Sequence, residues 1–135
     1  MDDLQRDFDI PQDDKDSLNS RHFKWETVRN ANMMWLIVNG FPVPEGYTVR
    51  TVAAAVQIPG DYLMTGLDMV YFKPALYRAD GIPIGATQYN ETIRNESYQR
   101  WSRHRTAQNP WRPGLESIIT HLELVEEWLL REFPK

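Results

Sequence analysis

The chain has no cysteine in its 135 residues, which excludes a disulfide framework, a zinc-thiolate site and a thiol nucleophile together. No apolar run approaches the roughly 18 residues needed to span a membrane. No Gly-Lys-Ser/Thr triplet occurs among the seven glycines, so no phosphate-binding loop is read and no cofactor is expected. The three histidines, His22, His104 and His121, lack a Glu-x-x-His spacing and give no metal site. The N-terminal stretch MDDLQRDFD is acidic, without an apolar signal core, and a cytoplasmic location is expected.

What is present is enough to fold. A hydrophobic content of 41% with five tryptophans supplies the apolar surface that offsets chain entropy, and 135 residues suit one core rather than two. The net charge of −4 is unevenly distributed. Residues 1–16 carry seven aspartates against Arg6 and Lys15, whereas residues 94–112 carry five arginines against Glu96. Such a basic segment suits an acidic partner or ordinary surface ion pairs. Tyr98, Trp101 and Trp111 interleave with these arginines in the manner of a single-strand nucleic-acid platform, but the overall acidity argues against a nucleic-acid partner.

Residues 1–9 read as an acidic flexible tail, and residues 10–135 as a single domain. From Ile10 to about Ser20 a short helix is expected, with Pro11 in its first turn. HFKWETV alternates and MMWLIVNG is continuously apolar, a pattern that predicts a hairpin. TVRTVAAAVQI and DMVYFKPALY give a third and a fourth strand, the last stopping near Pro74. These four strands with short turns predict an antiparallel meander. Residues 78–113 show no clear period yet retain Tyr89, Tyr98, Trp101 and Trp111, so this long irregular segment is where a site is sought. Leu115, Ile118, Ile119, Leu122, Val125 and Leu129 then recur at helical spacing, and a helix from about Pro113 to Phe133 packs that stripe on the sheet. The expected class is α+β.

Four stretches carry a resemblance: GFPVPEGY, IPGDYLMTGLDMVYF, WSRHR and NPWRPGLESIITHLELVEEWL. Their order and spacing resemble the ubiquitin-conjugating (UBC-like) fold, and more narrowly the bacterial group called prokaryotic ubiquitin-conjugating family E. Ile58-Pro59-Gly60-Asp61-Tyr62 is similar to the proline-tyrosine turn between the third and fourth strands of conjugating enzymes, with Leu63 where a second proline is common. Trp111-Arg112-Pro113 matches the Trp-x-Pro that opens the helix after their active site.

The resemblance implies an acyl carrier that accepts the C-terminus of a ubiquitin-like modifier from an activating enzyme and passes it to an amine. It implies a bacterial conjugation pathway, with an operon-encoded peptidase as a further partner and antiphage defence as a setting. The family's receiving cysteine stands some eight or nine residues before the tryptophan, which falls here on Arg103 or Ser102. Ser102 is therefore the expected acyl acceptor, forming an oxyester, and a serine needs a base to take its proton. His104 is the only histidine in the irregular segment and the natural candidate, although two residues apart on an extended chain the side chains need a bend to meet. The family's His-Pro-Asn tripeptide is absent, and Asn95 is the nearest substitute oxyanion donor, with turn formation as its competing reading. Arg100, Arg103, Arg105, Arg112 and Trp101 are the expected partner-binding residues, with packing beside the site as the competing reading of Trp101. The alternative is a catalytically silent module of the same fold that binds the activating enzyme or the modifier.

Overall fold

The computed structural model describes residues 4–133. Helix α1 spans Gln12–Ser20, and six strands follow: β1 Lys24–Asn30, β2 Met33–Pro42, β3 Thr51–Ile58, β4 Val70–Lys73, β5 Asn90–Ile93 and β6 Glu96–Trp101. Helix α2, Ile118–Arg131, closes the chain. The strands form one antiparallel sheet in the order β1-β2-β3-β4-β6-β5. The mixed α and β content agrees with expectation, but the strand count of four is corrected to six.

The two additional strands lie inside the segment expected to be irregular. Residues 90–101 form a hairpin turned by Arg94 and Asn95, both at positive φ (53° and 63°), the conformation of a two-residue turn that matches strand twist. The hairpin's alternation is masked because Gln99 takes an inward position. That buried side chain accepts the N–H of Leu76 (2.8 Å) and donates to its carbonyl (3.2 Å), standing in for the ladder that β4 loses beyond Pro74.

The sheet is buried on both faces. One face packs α1 and the α2 stripe of Ile118, Leu122, Val125 and Leu129 against Trp25, Leu36, Val38, Val56, Phe72 and Trp101. The other encloses Val28, Trp35, Ile37, Tyr71, Ile93 and Tyr98. Arg94 in the β5–β6 turn reaches β1, where its Nη1 donates to Glu26 Oε2 at 3.0 Å. The two ends of the sheet thereby curl together over the second core. Burial opposes ionisation of Glu26, but hydrogen bonds from Arg94, Asn39 and the Gln5 N–H outweigh it and hold this carboxyl below the usual range.

Part of the acidic N-terminal segment is tied down. The Asp7 N–H donates to Thr27 O at 2.8 Å, and the Thr27 N–H to Gln5 O at 3.0 Å, so residues 5–8 line the edge of β1. Residues 1–3 of that expected tail, and residues 134–135, lie outside the described residues.

Helix α2 begins at Ile118, not at about Pro113, because Ser117 caps it. The Ser117 hydroxyl accepts the Thr120 N–H and the Thr120 hydroxyl accepts the Ser117 N–H, a reciprocal box that ends the preceding turn. A second cap comes from α1. Buried Asp14 accepts the Ile118 N–H (3.1 Å) and the Tyr62 hydroxyl (2.9 Å), joining both helices to the β3–β4 turn. Asp14→Ala strands both donors and is expected to cost about 1–3 kcal/mol by urea unfolding, with Asp14→Asn recovering part of the loss.

Candidate functional site

The site is built where β4 and β6 pair, Val70 opposite Trp101. Beyond Trp101 the chain bends, with the Arg103 N–H donating to Trp101 O (3.0 Å). The Met69 N–H donates to Arg103 O (3.1 Å), and the Ser102 N–H to Ala86 O (3.1 Å). Residues 102 and 103 are thereby tied to the β4–β5 connection at Ala86 and to the segment that leads into β4 at Met69.

Asp68 on that segment meets His104, its Oδ2 lying 2.7 Å from His104 Nδ1. Its Oδ1 accepts the Arg105 N–H at 3.3 Å. A carboxylate only accepts, so Nδ1–H donates to it and the neutral ring carries its free lone pair on Nε2. The His104 side chain is 65% exposed, and it borders a cleft of about 410 Å³ shared with Thr106, Asn109, Leu124 and Trp128. An imidazole held through one nitrogen by a carboxylate keeps the other nitrogen available to accept a proton.

Asp68 was missed by sequence reasoning because it stands 36 residues before His104, and only the β4–β6 pairing joins them. No spacing rule carries that signal.

The expected site residues are distributed differently. Ser102 lies two residues from His104, yet no hydrogen bond joins its hydroxyl to that ring among the described residues. Asn95 sits in the β5–β6 turn, and the six residues of β6 separate it from Ser102 by on the order of 20 Å. It therefore cannot donate to an oxyanion formed at Ser102, and the turn-forming reading describes it. Trp101 is fully buried, its Nε1–H donating to Gln99 Oε1 at 3.0 Å, so of its two readings packing describes it and partner contact does not.

The arginines expected to meet a partner are engaged within the chain. Arg100 lies over the Tyr89 ring at 4.1 Å. Arg103 donates to Gly85 O (3.0 Å) and pairs with Glu132 (3.3 Å). Arg112 donates from Nε and Nη2 to Glu116 Oε2 (3.0 and 2.8 Å), the main reason this carboxyl sits below the usual range. Arg105 is largely buried over Trp111, donates through Nε to Leu67 O (3.0 Å), and has its pKa lowered by burial. Of these four, Arg112 has the clearest exposure, 62% of its side chain.

Trp111 roofs this cluster, with its Nε1–H on Leu63 O at 2.8 Å. The close fit rests on Gly66, where an added Cβ falls 2.3 Å from the indole. Gly66→Ala is expected to push Trp111 outward, red-shift the tryptophan emission and cost about 1–3 kcal/mol. Unchanged emission and an unchanged urea midpoint would contradict that packing.

Among the described residues no group of three or more His, Cys, Asp or Glu side chains is placed to hold a metal ion, and no helix is long and apolar enough to cross a membrane. In comparison with known proteins, the family model described as prokaryotic E2 family E matches residues 10–132. No curated protein and no solved structure matches the chain.

Proposed function

The chain belongs to prokaryotic E2 family E, and on that footing we propose that it performs the transfer step of a ubiquitin-like conjugation through Ser102 and His104. The Ser102 oxygen attacks the adenylated C-terminal carbonyl of the modifier. Its proton passes to His104 Nε2, and AMP departs. His104 releases that proton to solvent; a lysine amine then attacks the ester carbonyl, its proton passes to His104 Nε2, and His104 hands a proton to the Ser102 oxygen as it departs. The observation that supports this reading is the 2.7 Å Asp68–His104 contact, which leaves the second imidazole nitrogen available two residues from Ser102. Ser102 must approach Nε2 to about 2.6–3.2 Å, a contact of the kind that tightens only when substrate is bound.

The exposed Arg112 then serves the surface where the activating enzyme and the modifier dock. Incubation with activating enzyme, modifier and ATP is expected to give a hydroxide-sensitive adduct of the chain that disappears in Ser102→Ala. Survival of the adduct in that variant removes the assignment.

A second reading is a docking module without chemistry, favoured by the placement of Asn95 at the far end of β6, which leaves Ser102 without the expected amide donor. It requires that Ser102→Ala and His104→Ala leave conjugation intact, while charge reversal at Arg112 weakens the complex.

A further inference from the structure

The transfer chemistry does not use His121, a fully buried histidine on α2 flanked by the core residues Ile118, Leu122 and Val125. Both of its nitrogens are occupied. A guanidinium can only donate, so Arg105 Nη2 donates to His121 Nδ1 at 3.0 Å. His121 Nε2–H in turn donates to Met69 O at 2.9 Å. Arg105 also holds Leu67 O through Nε (3.0 Å), and its backbone N–H reaches Asp68 Oδ1 (3.3 Å).

The two residues thus grip the carbonyls immediately before and after Asp68, one from the helix and the other from the position following His104. The arrangement is costly. An apolar side chain at position 121 would fill the same volume without burying two polar nitrogens, and the Arg105 charge meets its nearest carboxylate, Glu116, only at 4.0 Å. Packing alone does not account for it.

We propose that Arg105, anchored by His121, is a positioning residue that sets the Asp68 carboxylate against His104 and keeps that ring in its Nδ1–H form. The inference rests on reading Asp68 and His104 as the working pair. With three consecutive residues held at Leu67 O, Asp68 Oδ1 and Met69 O, the carboxylate cannot swing away from His104 without breaking the hydrogen bond it accepts from the Arg105 N–H. Because the grip originates in α2, the tautomer of an exposed histidine is set by the core.

The test reads the histidine rings by nitrogen-15 NMR on the free full-length chain at neutral pH, with Asp68→Asn as the reference for a lost contact. In the unsubstituted chain His104 is expected as the Nδ1–H tautomer. Arg105→Lys keeps a positive charge but loses the two-pronged hold, and it should move His104 toward the Nε2–H form seen in Asp68→Asn. His121→Gln, whose amide oxygen can accept from Arg105 and whose N–H can reach Met69 O, should retain the Nδ1–H form. Thermal unfolding verifies that each variant is folded, and His121→Leu replaces Arg105→Lys should the latter fail to fold. In the conjugation assay the loosened variants should slow adduct formation by about 10²-fold, with His121→Gln close to the unsubstituted rate.

A folded Arg105→Lys or His121→Leu chain whose His104 stays in the Nδ1–H form overturns the proposal. So does an unsubstituted chain already in the Nε2–H form. The tautomer is read without activating enzyme or modifier, so a missing adduct counts against the transfer reading and an unmoved tautomer against the positioning.

Discussion

His104→Ala is expected to slow transfer of the modifier to an amine by about 10²- to 10⁴-fold, the range spanned by a lost general base. The same substitution should leave the fold intact. The ring is 65% exposed and, among the described residues, hydrogen-bonds to Asp68, itself 43% exposed, so the pair contributes to stability as a surface contact does, within about 1 kcal/mol. A large kinetic effect with a small shift in the unfolding midpoint separates chemistry from packing. Single-turnover transfer to free lysine, beside urea unfolding of the same preparation, reads both. Full-rate transfer by the alanine variant would show that His104 moves no proton. Asp68→Asn should fall in the same direction, because its oxygen can still accept the Arg105 N–H while its NH2 faces His104 Nδ1 and imposes the Nε2–H form.

The largest effect on stability is expected from acid acting on His121. Burial is the main cause that pushes its pKa down from 6.5 to about 4, and the nearby Arg105 charge adds to the effect. The folded state therefore binds a proton less readily than the unfolded chain. Its contribution is present above pH 6.5 and is lost as pH falls through that value toward 4. The difference corresponds to about 3 kcal/mol, a large share of a small domain's stability.

Asp14 acts in the opposite sense. Burial raises its pKa above the ordinary carboxylate value, so what it contributes is present in acid and is lost as pH rises through the raised pKa. Urea midpoints measured from pH 7 to pH 4 should fall steeply for the unsubstituted chain and less steeply for His121→Gln. Parallel curves for the two would contradict the assignment of the acid response to His121.

Much of the architecture was legible because burial imposed periods on the sequence. The α2 stripe is a 3.6-residue repeat facing the sheet, and the run MMWLIVNG is continuous because β2 is covered on both faces. The β5–β6 hairpin was hidden for a physical reason. Its inward positions include Gln99, which is buried to satisfy Leu76, and its turn is Arg94-Asn95 without a glycine, so neither alternation nor turn composition marked it.

At the site, Ser102 is legible from its distance before the Trp-x-Pro pattern and His104 as the only histidine of residues 78–113, but nothing in the sequence points to Asp68. Asp68 reaches His104 through a sheet pairing, and pairing between distant strands leaves no local trace. The arginines were legible as a charge cluster, whereas their engagement with Glu116, Glu132 and backbone carbonyls depends on how the bend after β6 folds back over α2.

The reading of this chain as an acyl carrier is tested most directly by mapping the modifier's attachment point by mass spectrometry after incubation with activating enzyme, modifier and ATP. The account predicts that the modifier's C-terminus is joined to Ser102 by an ester that hydroxide cleaves. A chain of unchanged mass beside fully charged activating enzyme, or a linkage elsewhere that survives in Ser102→Ala, would contradict it.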